Sequence, residues 1–496
     1  MPKKLPIFYS ALLLTGVNLL LRLVSTSFQV YVSGRIGAAG VGLLQLVMSV
    51  GALAMTAGIA GVRTATMYLA AGELGRKRPG NVCWVLSGCF TYSVLFSVTV
   101  SALLYCFAPV LADRWVGNID TLPAIRLYAC FVPVTCLCGV MTGYFTAANR
   151  IGTLALVEVA DQLLYMAVTM TMLTAWAGHD PVRSCQSMIF GSGICSCFCL
   201  CCLVALRLRE RVPAGPRLPV RRQLLETAVP LALADDLKAG ISTTENLMVP
   251  KRLALYPLVD DPLAAFGMVC GMVFPVLMFP AAILYALAEL LIPEMARCAA
   301  AGSRQRIRYL AKRSLKLALL YGCLFCGLEF LLSRELCLWL YGSEEAGRYL
   351  GLYALLIPML YCDAITDAMI KGLGQQTASV RYNILTSSLD VAFLFLLLPR
   401  YGMSGYFFSF LLTHLLNFIL SLRRLLRLVG RVIPLSTAFF ALLATGCAVF
   451  VAGHIYPPLL RGLCFLVLWC CLLTLLQVIG KEDLRWLRGL VGKKES

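Results

Sequence analysis

Residues 12–32 read LLLTGVNLLLRLVSTSFQVYV. The stretch is apolar and long enough to cross a hydrocarbon core about 30 Å thick, which takes about 20 residues of helix. Arg22 nevertheless stands in its middle. An isolated cation at mid-bilayer costs about 2.5–3.5 kcal/mol on insertion scales, so a helix that keeps one points it at protein or at water. Steps of three and four along this helix collect Thr15, Asn18, Arg22, Ser25 or Thr26, and Gln29 on one face. A continuous polar stripe favours a wet cavity.

Working outward, similar apolar runs recur from end to end. The chain has 496 residues, 60% hydrophobic and 14% charged, against roughly 45–50% and 25% in soluble domains. We count about fourteen runs long enough to span a membrane, at 6–32, 39–70, 82–111, 122–147, 152–177, 185–206, 223–250, 264–296, 310–333, 348–371, 378–398, 402–422, 433–454 and 460–479. The fold class is therefore an all-α polytopic membrane protein. The two lysines before the first run suggest a signal peptide, but the run continues past Val30 with no small-residue cleavage site, and it reads as the first transmembrane helix.

Net charge is +18, and its placement decides its meaning. Alternate connections, beginning with Lys3 and Lys4 and including Arg76, Lys77, Arg78, Arg207, Arg209, Arg221 and Arg222, carry roughly 29 of the 43 basic residues, the positive-inside signature. Both termini are expected in the cytoplasm of a bacterial plasma-membrane protein, and nucleic acid is not an expected partner. The 22 cysteines fall mostly inside apolar runs, densest in SGICSCFCLCC at 192–202. Spacings of two scatter ligands around a helix, so small apolar filler is a better reading than a metal site.

The basic, Pro-rich RLRERVPAGPRLPVRRQ divides six helices from six. The expected organisation is a first lobe at 1–210, a basic linker at 211–222, a second lobe at 223–430, two further helices at 431–480 and a basic tail at 481–496. GVGLLQLVMSVGALAMTAGIAGV in helix 2 is weakly echoed by AFGMVCGMVFPVLMFPAAILYAL in helix 8. An even number of helices per half makes such a repeat parallel, with a substrate site expected between the halves.

Helix 7 repeats the device of helix 1. Asp235, Lys238, Ser242 and Glu245 share a face, with Asp236 beside them, and helix 2 adds Gln45, Ser49, Thr56 and Arg63. The alternative for Lys238 is to neutralise Asp235 in a packing pair, and Arg63 is near enough to the interface to snorkel. Arg22 has no acidic residue on its own helix. Glu158, Asp161, Asp363, Asp367, Lys371 and Asp390 are open to coupling an ion or to pairing with basic residues across the lobes, and no role is assigned to them. Glu289 and Pro293, with Glu294, are read as shaping a gate or the end of helix 8.

Enzyme chemistry finds no motif. The three histidines, His179, His414 and His454, are far apart, and offer neither a metal cluster nor a triad. No Walker-type GxxxxGK[ST] is present. No cofactor is expected, and the energy source is a gradient, the membrane potential or downstream consumption of cargo; the coupling ion stays open.

GRIGAAGVGLLQL, TAGIAG, TTENLMVPKRLALYP and AAFGMVCGMVFPVLMFPAAILYALAELLIPEMARCAAAG resemble the stage V sporulation protein B-like branch of the multidrug/oligosaccharidyl-lipid/polysaccharide flippase superfamily, over about residues 10–425. The resemblance implies two six-helix lobes forming a V around a central cavity, two C-terminal helices, alternating access, and a monomer surrounded by membrane lipid. It implies a polyprenyl-diphosphate-linked saccharide as cargo. Arg22 stands at the family's basic position in helix 1, while Gln29 occupies a place where a second basic residue is common, and Arg63 falls slightly before the usual basic position. On this reading Arg22, Lys238 and Arg63 hold the diphosphate; Asn18, Gln29, Ser242 and Asn246 meet sugar hydroxyls, with Asp235 and Glu245 beside them. A cation-coupled multidrug exporter of the same superfamily is the alternative, and it is expected to show a carboxylate in helix 1, where this chain has none.

Overall fold

Breaks in helical geometry, more than loops, divide this chain. The structure, a computed structural model, describes residues 7–76, 78–178, 180–210, 215–216, 220–430 and 435–479. The described residues form fourteen helices and no strand. Helix runs on from Ile7 to Ile59 except at Gly37, whose φ of 71° is non-helical and suits a residue without Cβ. This separates α1 (residues 7–36) from α2, which breaks again at Ala60 (φ 43°) and Gly61 (φ 70°) before continuing as Val62–Gly75. Then follow α3 (Val82–Val110), α4 (Leu122–Ala147), α5 (Ile151–Met172), α6 (Pro181–Leu208) and α7 (Val220–Leu253). Helix α8 runs from Pro262 to Ala300 with a 64° bend after Met278, α9 is Arg304–Tyr341, and α10 runs from Glu344 to Gly372 with a 55° bend. Gly402 (φ 57°) splits Gln376–Val429 into α11 (residues 376–401) and α12 (residues 403–429), and α13 (Leu435–Ala452) and α14 (Pro458–Leu475) close the series.

Eight helices among the described residues are individually long and apolar enough to cross a membrane, or ten with the bent pairs α8 and α10. The difference from fourteen has physical causes. The α1–α2 and α11–α12 pairs run on as single helices, α13 is short, and α7 carries Asp235, Asp236, Lys238 and Glu245 within its span.

Residues group by contact into two compact units. The first comprises residues 1–271 with 391–403; the second comprises 272–390 with 404–496. In the first unit α7 packs on the continuous helix of residues 7–59 and on Val62–Gly75 beyond its break. Residues 391–403 join it through Arg252, whose Nε and Nη2 donate to the Phe395 carbonyl at 3.2 and 2.9 Å, with the guanidinium 3.6 Å from the Phe395 ring centroid. Its core gathers Val140, Met141, Tyr144 and Phe145 of α4 with Val82, Val85 and Leu86 of α3 and Leu224 of α7.

The second unit is held by close helix contacts and by polar ties. The Phe465 ring of α14 fills the space that a Cβ on Gly327 of α9 would need. Arg461 of α14 pairs with Glu335 of α9 at 2.9 Å. Inside the unit, Asp390 accepts from Ser409 at 2.5 Å and Thr413 at 3.2 Å, joining α11 to α12. Asn417 donates to Asp363 at 2.9 Å, joining α12 to α10, and Lys371 pairs with Asp367 at 2.5 Å.

Candidate functional site

The break in α2 sets the position of Arg63. Two successive residues at positive φ interrupt the helix at Ala60 and Gly61, and the Tyr92 hydroxyl of α3 donates to the Ala60 carbonyl at 3.2 Å, so a group freed by the break is satisfied. Just beyond it, the backbone of Arg63 lies so close against α4 that a Cβ on Gly143 would collide with the Arg63 carbonyl oxygen. The side chain of Arg63 is exposed. It lies in the electrostatic field of Glu158, which is followed on α5 by Asp161; the Asp161 Oδ1 is buried with no hydrogen-bond partner among the described residues.

Helix α7 meets this region from the other side. Thr243 Oγ1 donates to the Ser49 carbonyl at 3.1 Å, and Asn246 Nδ2 donates to Ser49 Oγ at 3.0 Å. Asn246, expected to meet cargo, is thus engaged in fastening α7 to α2. Asp235, Lys238 and Ser242 are exposed. Neither Asp235 nor Lys238 has an ion-pair partner among the described residues, so the two do not neutralise each other in a packing pair. Asp236 is half-buried, and its carboxylate field reaches Tyr92, the residue that bonds to the α2 break. Glu245 is half-buried and has a partner interaction.

On α1, Gln29 is half-buried. Its Nε2 and the Ser33 hydroxyl each donate to the Gly271 carbonyl at 3.4 Å, at a π-helical turn (Val269–Val273) where the regular helical ladder is disturbed. The side chains of Asn18 and Arg22 lie outside the described residues, as do His179, most of the 211–222 linker and the 481–496 tail. In the second unit Glu289 and Pro293 are exposed. Pro293 is interior to a helix that continues to Ala300, and Glu294 pairs with Arg297 at 3.3 Å and Arg306 at 2.8 Å across the turn into α9.

Two features are not foreseen from the sequence. Glu210 receives Arg150 at 2.5 Å, Arg207 at 3.2 Å and the Tyr144 hydroxyl at 2.6 Å, a network that only the packing of α4 and α6 assembles. Glu329 of α9 is buried with neither carboxylate oxygen hydrogen-bonded among the described residues. The sequence does carry a signal for it, a lone carboxylate within GCLFCGLEFLL. Among the described residues no group of three His, Cys, Asp or Glu side chains could hold a metal.

This arrangement of long apolar helices, bent and interrupted, is that of a multi-pass membrane protein. The family model described as MatE matches residues 253–396. Stage V sporulation protein B of Bacillus subtilis (strain 168) is 20% identical over 401 residues, covering 78% of this chain and 77% of that protein. Among solved structures, the lipid II flippase MurJ in an inward closed conformation aligns with TM-score 0.68 at 11% identity, over 94% of this chain and 98% of that one. An inward-facing multidrug resistance MATE family transporter aligns with TM-score 0.67 at 13% identity, over 84% and 98%. The chain shares the fold of these two structures.

Proposed function

We propose that the chain is a lipid flippase that carries a polyprenyl-diphosphate-linked saccharide from the inner to the outer leaflet of a bacterial cytoplasmic membrane by alternating access. Both termini are cytoplasmic and the protein acts as a monomer, without changing its cargo chemically. The observation that carries this reading is Lys238, exposed on a polar face of α7 and without an ion-pair partner among the described residues. Arg22 of α1 and the exposed Arg63 of α2 belong to the same unit.

A diphosphate cannot enter hydrocarbon unaided. Guanidinium groups offer it charge-assisted, often bidentate hydrogen bonds and keep their charge at every relevant pH. Arg22, Lys238 and Arg63 hold the diphosphate; Asn18 and Ser242 serve sugar hydroxyls, Gln29 and Asn246 do so through their amide oxygens while their nitrogens tie helices, and Asp235 and Glu245 accept from hydroxyls along the same face. Similarity to a protein named for stage V of sporulation, and to a lipid II flippase, supports a cell-envelope precursor as cargo.

The likeness to a multidrug transporter favours a second reading, export of organic cations. The absence of Asp and Glu from 7–36 weighs against it, because that reading expects a carboxylate in helix 1. The deciding experiment is transport in reconstituted vesicles. Lipid-linked saccharide should cross leaflets with wild-type protein and fail to cross with Arg22→Ala. Full transport by Arg22→Ala would remove the cationic site, and transport of an organic cation instead would establish the second reading.

A further inference from the structure

Cys138 of α4 and Cys199 of α6 bring their sulfurs to 3.1 Å, the Cys138 thiol donating to Cys199. One turn earlier on both helices, the Thr135 hydroxyl donates to the Ser196 hydroxyl at 3.0 Å. Both pairs are separated by 61 residues, so the two helices run side by side in the same direction and in register through successive contacts. Only about 1 Å of closure separates these sulfurs from a bond of about 2.05 Å. Cys138 is half-buried and Cys199 is buried. The Asp161 carboxylate acts on Cys138 more strongly than the opposing Arg63 guanidinium does, and Asp161 and Glu158 also act on Cys199. A half-buried thiol with a second thiol in reach is the arrangement of an oxidisable cysteine and its resolving partner.

We infer that Cys138 and Cys199 are a reversible redox modification site, at which a hydroperoxide oxidises Cys138 and Cys199 resolves it to a disulfide. In the first step the Cys138 thiolate attacks a peroxide oxygen. An S–O bond forms, the O–O bond breaks, and the departing alkoxide takes the thiol proton as an alcohol. In the second step Cys199 attacks the sulfenic sulfur. The S–S bond forms, the S–O bond breaks, and hydroxide leaves with the second thiol proton as water. Two thiols and one hydroperoxide thus give one disulfide, an alcohol and water, and an external dithiol reverses the change. The link would fasten α4 to α6 beside the helix that carries Arg63.

The test does not depend on what the protein transports. Full-length protein in detergent is treated with hydrogen peroxide, free thiols are blocked, and peptides are mapped by mass spectrometry before and after dithiothreitol. The expected product is a dithiothreitol-sensitive peptide joining Cys138 to Cys199. In Cys199→Ser, Cys138 should instead be trapped as a sulfenic acid by a dimedone probe. The site is overturned if both thiols stay free while exposed Cys470 or Cys471 reacts, and equally if Cys138 links to another cysteine.

Discussion

Arg63 stands beside an enforced glycine: any side chain at Gly143 would meet the Arg63 carbonyl. The obstacle is backbone, which cannot swing aside as a flexible side chain does, so overpacking costs of about 1–3 kcal/mol apply. Gly143→Ala is expected to lower the thermal unfolding midpoint in detergent and to weaken cargo binding by shifting Arg63. For the cations themselves, Arg22→Ala and Lys238→Ala should abolish transport in vesicles while the protein still reaches the membrane. Arg22→Lys should recover only part, because an ammonium lacks the planar fork that engages a diphosphate at two points. Residues of this kind are legible in the sequence because a charge in hydrocarbon stands out against its neighbours. Asn246 is legible as polar but not in its partner: an amide on a polar face serves ligand and neighbouring helix equally well, and only packing brings Ser49 within 3.0 Å of it.

Among elements, α2 carries the most local strain. Ala60 adopts φ 43°, a left-handed conformation that costs a residue with a Cβ roughly 1–2 kcal/mol. Ala60→Gly should therefore raise the unfolding midpoint, while Ala60→Val should lower it, both measurable by thermal shift. The break falls in GIAG, a motif whose glycines permit a turn without demanding one, so the apolar run alone predicts an unbroken helix from 39 to 70. Breaks at Gly37 and Gly402 show the opposite. The expected boundaries at 32–39 and 398–402 surround them, yet the chain passes through each on a single glycine (φ 71° and 57°). Apolar runs mark where a helix crosses the membrane, whereas the geometry of a turn depends on one or two torsions that hydropathy does not register. The tie from Asn246 to Ser49 also belongs to this scale: Asn246→Ala should cost about 1 kcal/mol of stability, detected as a lower midpoint. Ser49→Ala alone should cost a similar amount, and the double variant should cost less than the sum.

For the molecule as a whole, the number and class of helices follow from apolar runs, and the resemblance to a superfamily from a few short motifs. Cargo is a whole-molecule property and is readable only as a charge. Native mass spectrometry of purified protein should retain a lipid carrying a diphosphate, and an organic cation such as ethidium should not raise the unfolding midpoint. Retention of neutral lipid alone would count against the flippase reading.

Helix α7 also has a consequence for biogenesis. Asp235, Asp236, Lys238 and Glu245 lie within it, and a carboxylate or ammonium at the centre of a helix costs about 2.5–3.5 kcal/mol at the translocon. Released alone into lipid, such a segment would be rejected. It must wait at the insertion machinery until α1 and α2, already synthesised, offer it a protein face. Nascent chains truncated after Leu253 should therefore leave α7 on the synthesis side in a glycosylation-mapping assay when α1 and α2 are deleted, and should insert it when they are present.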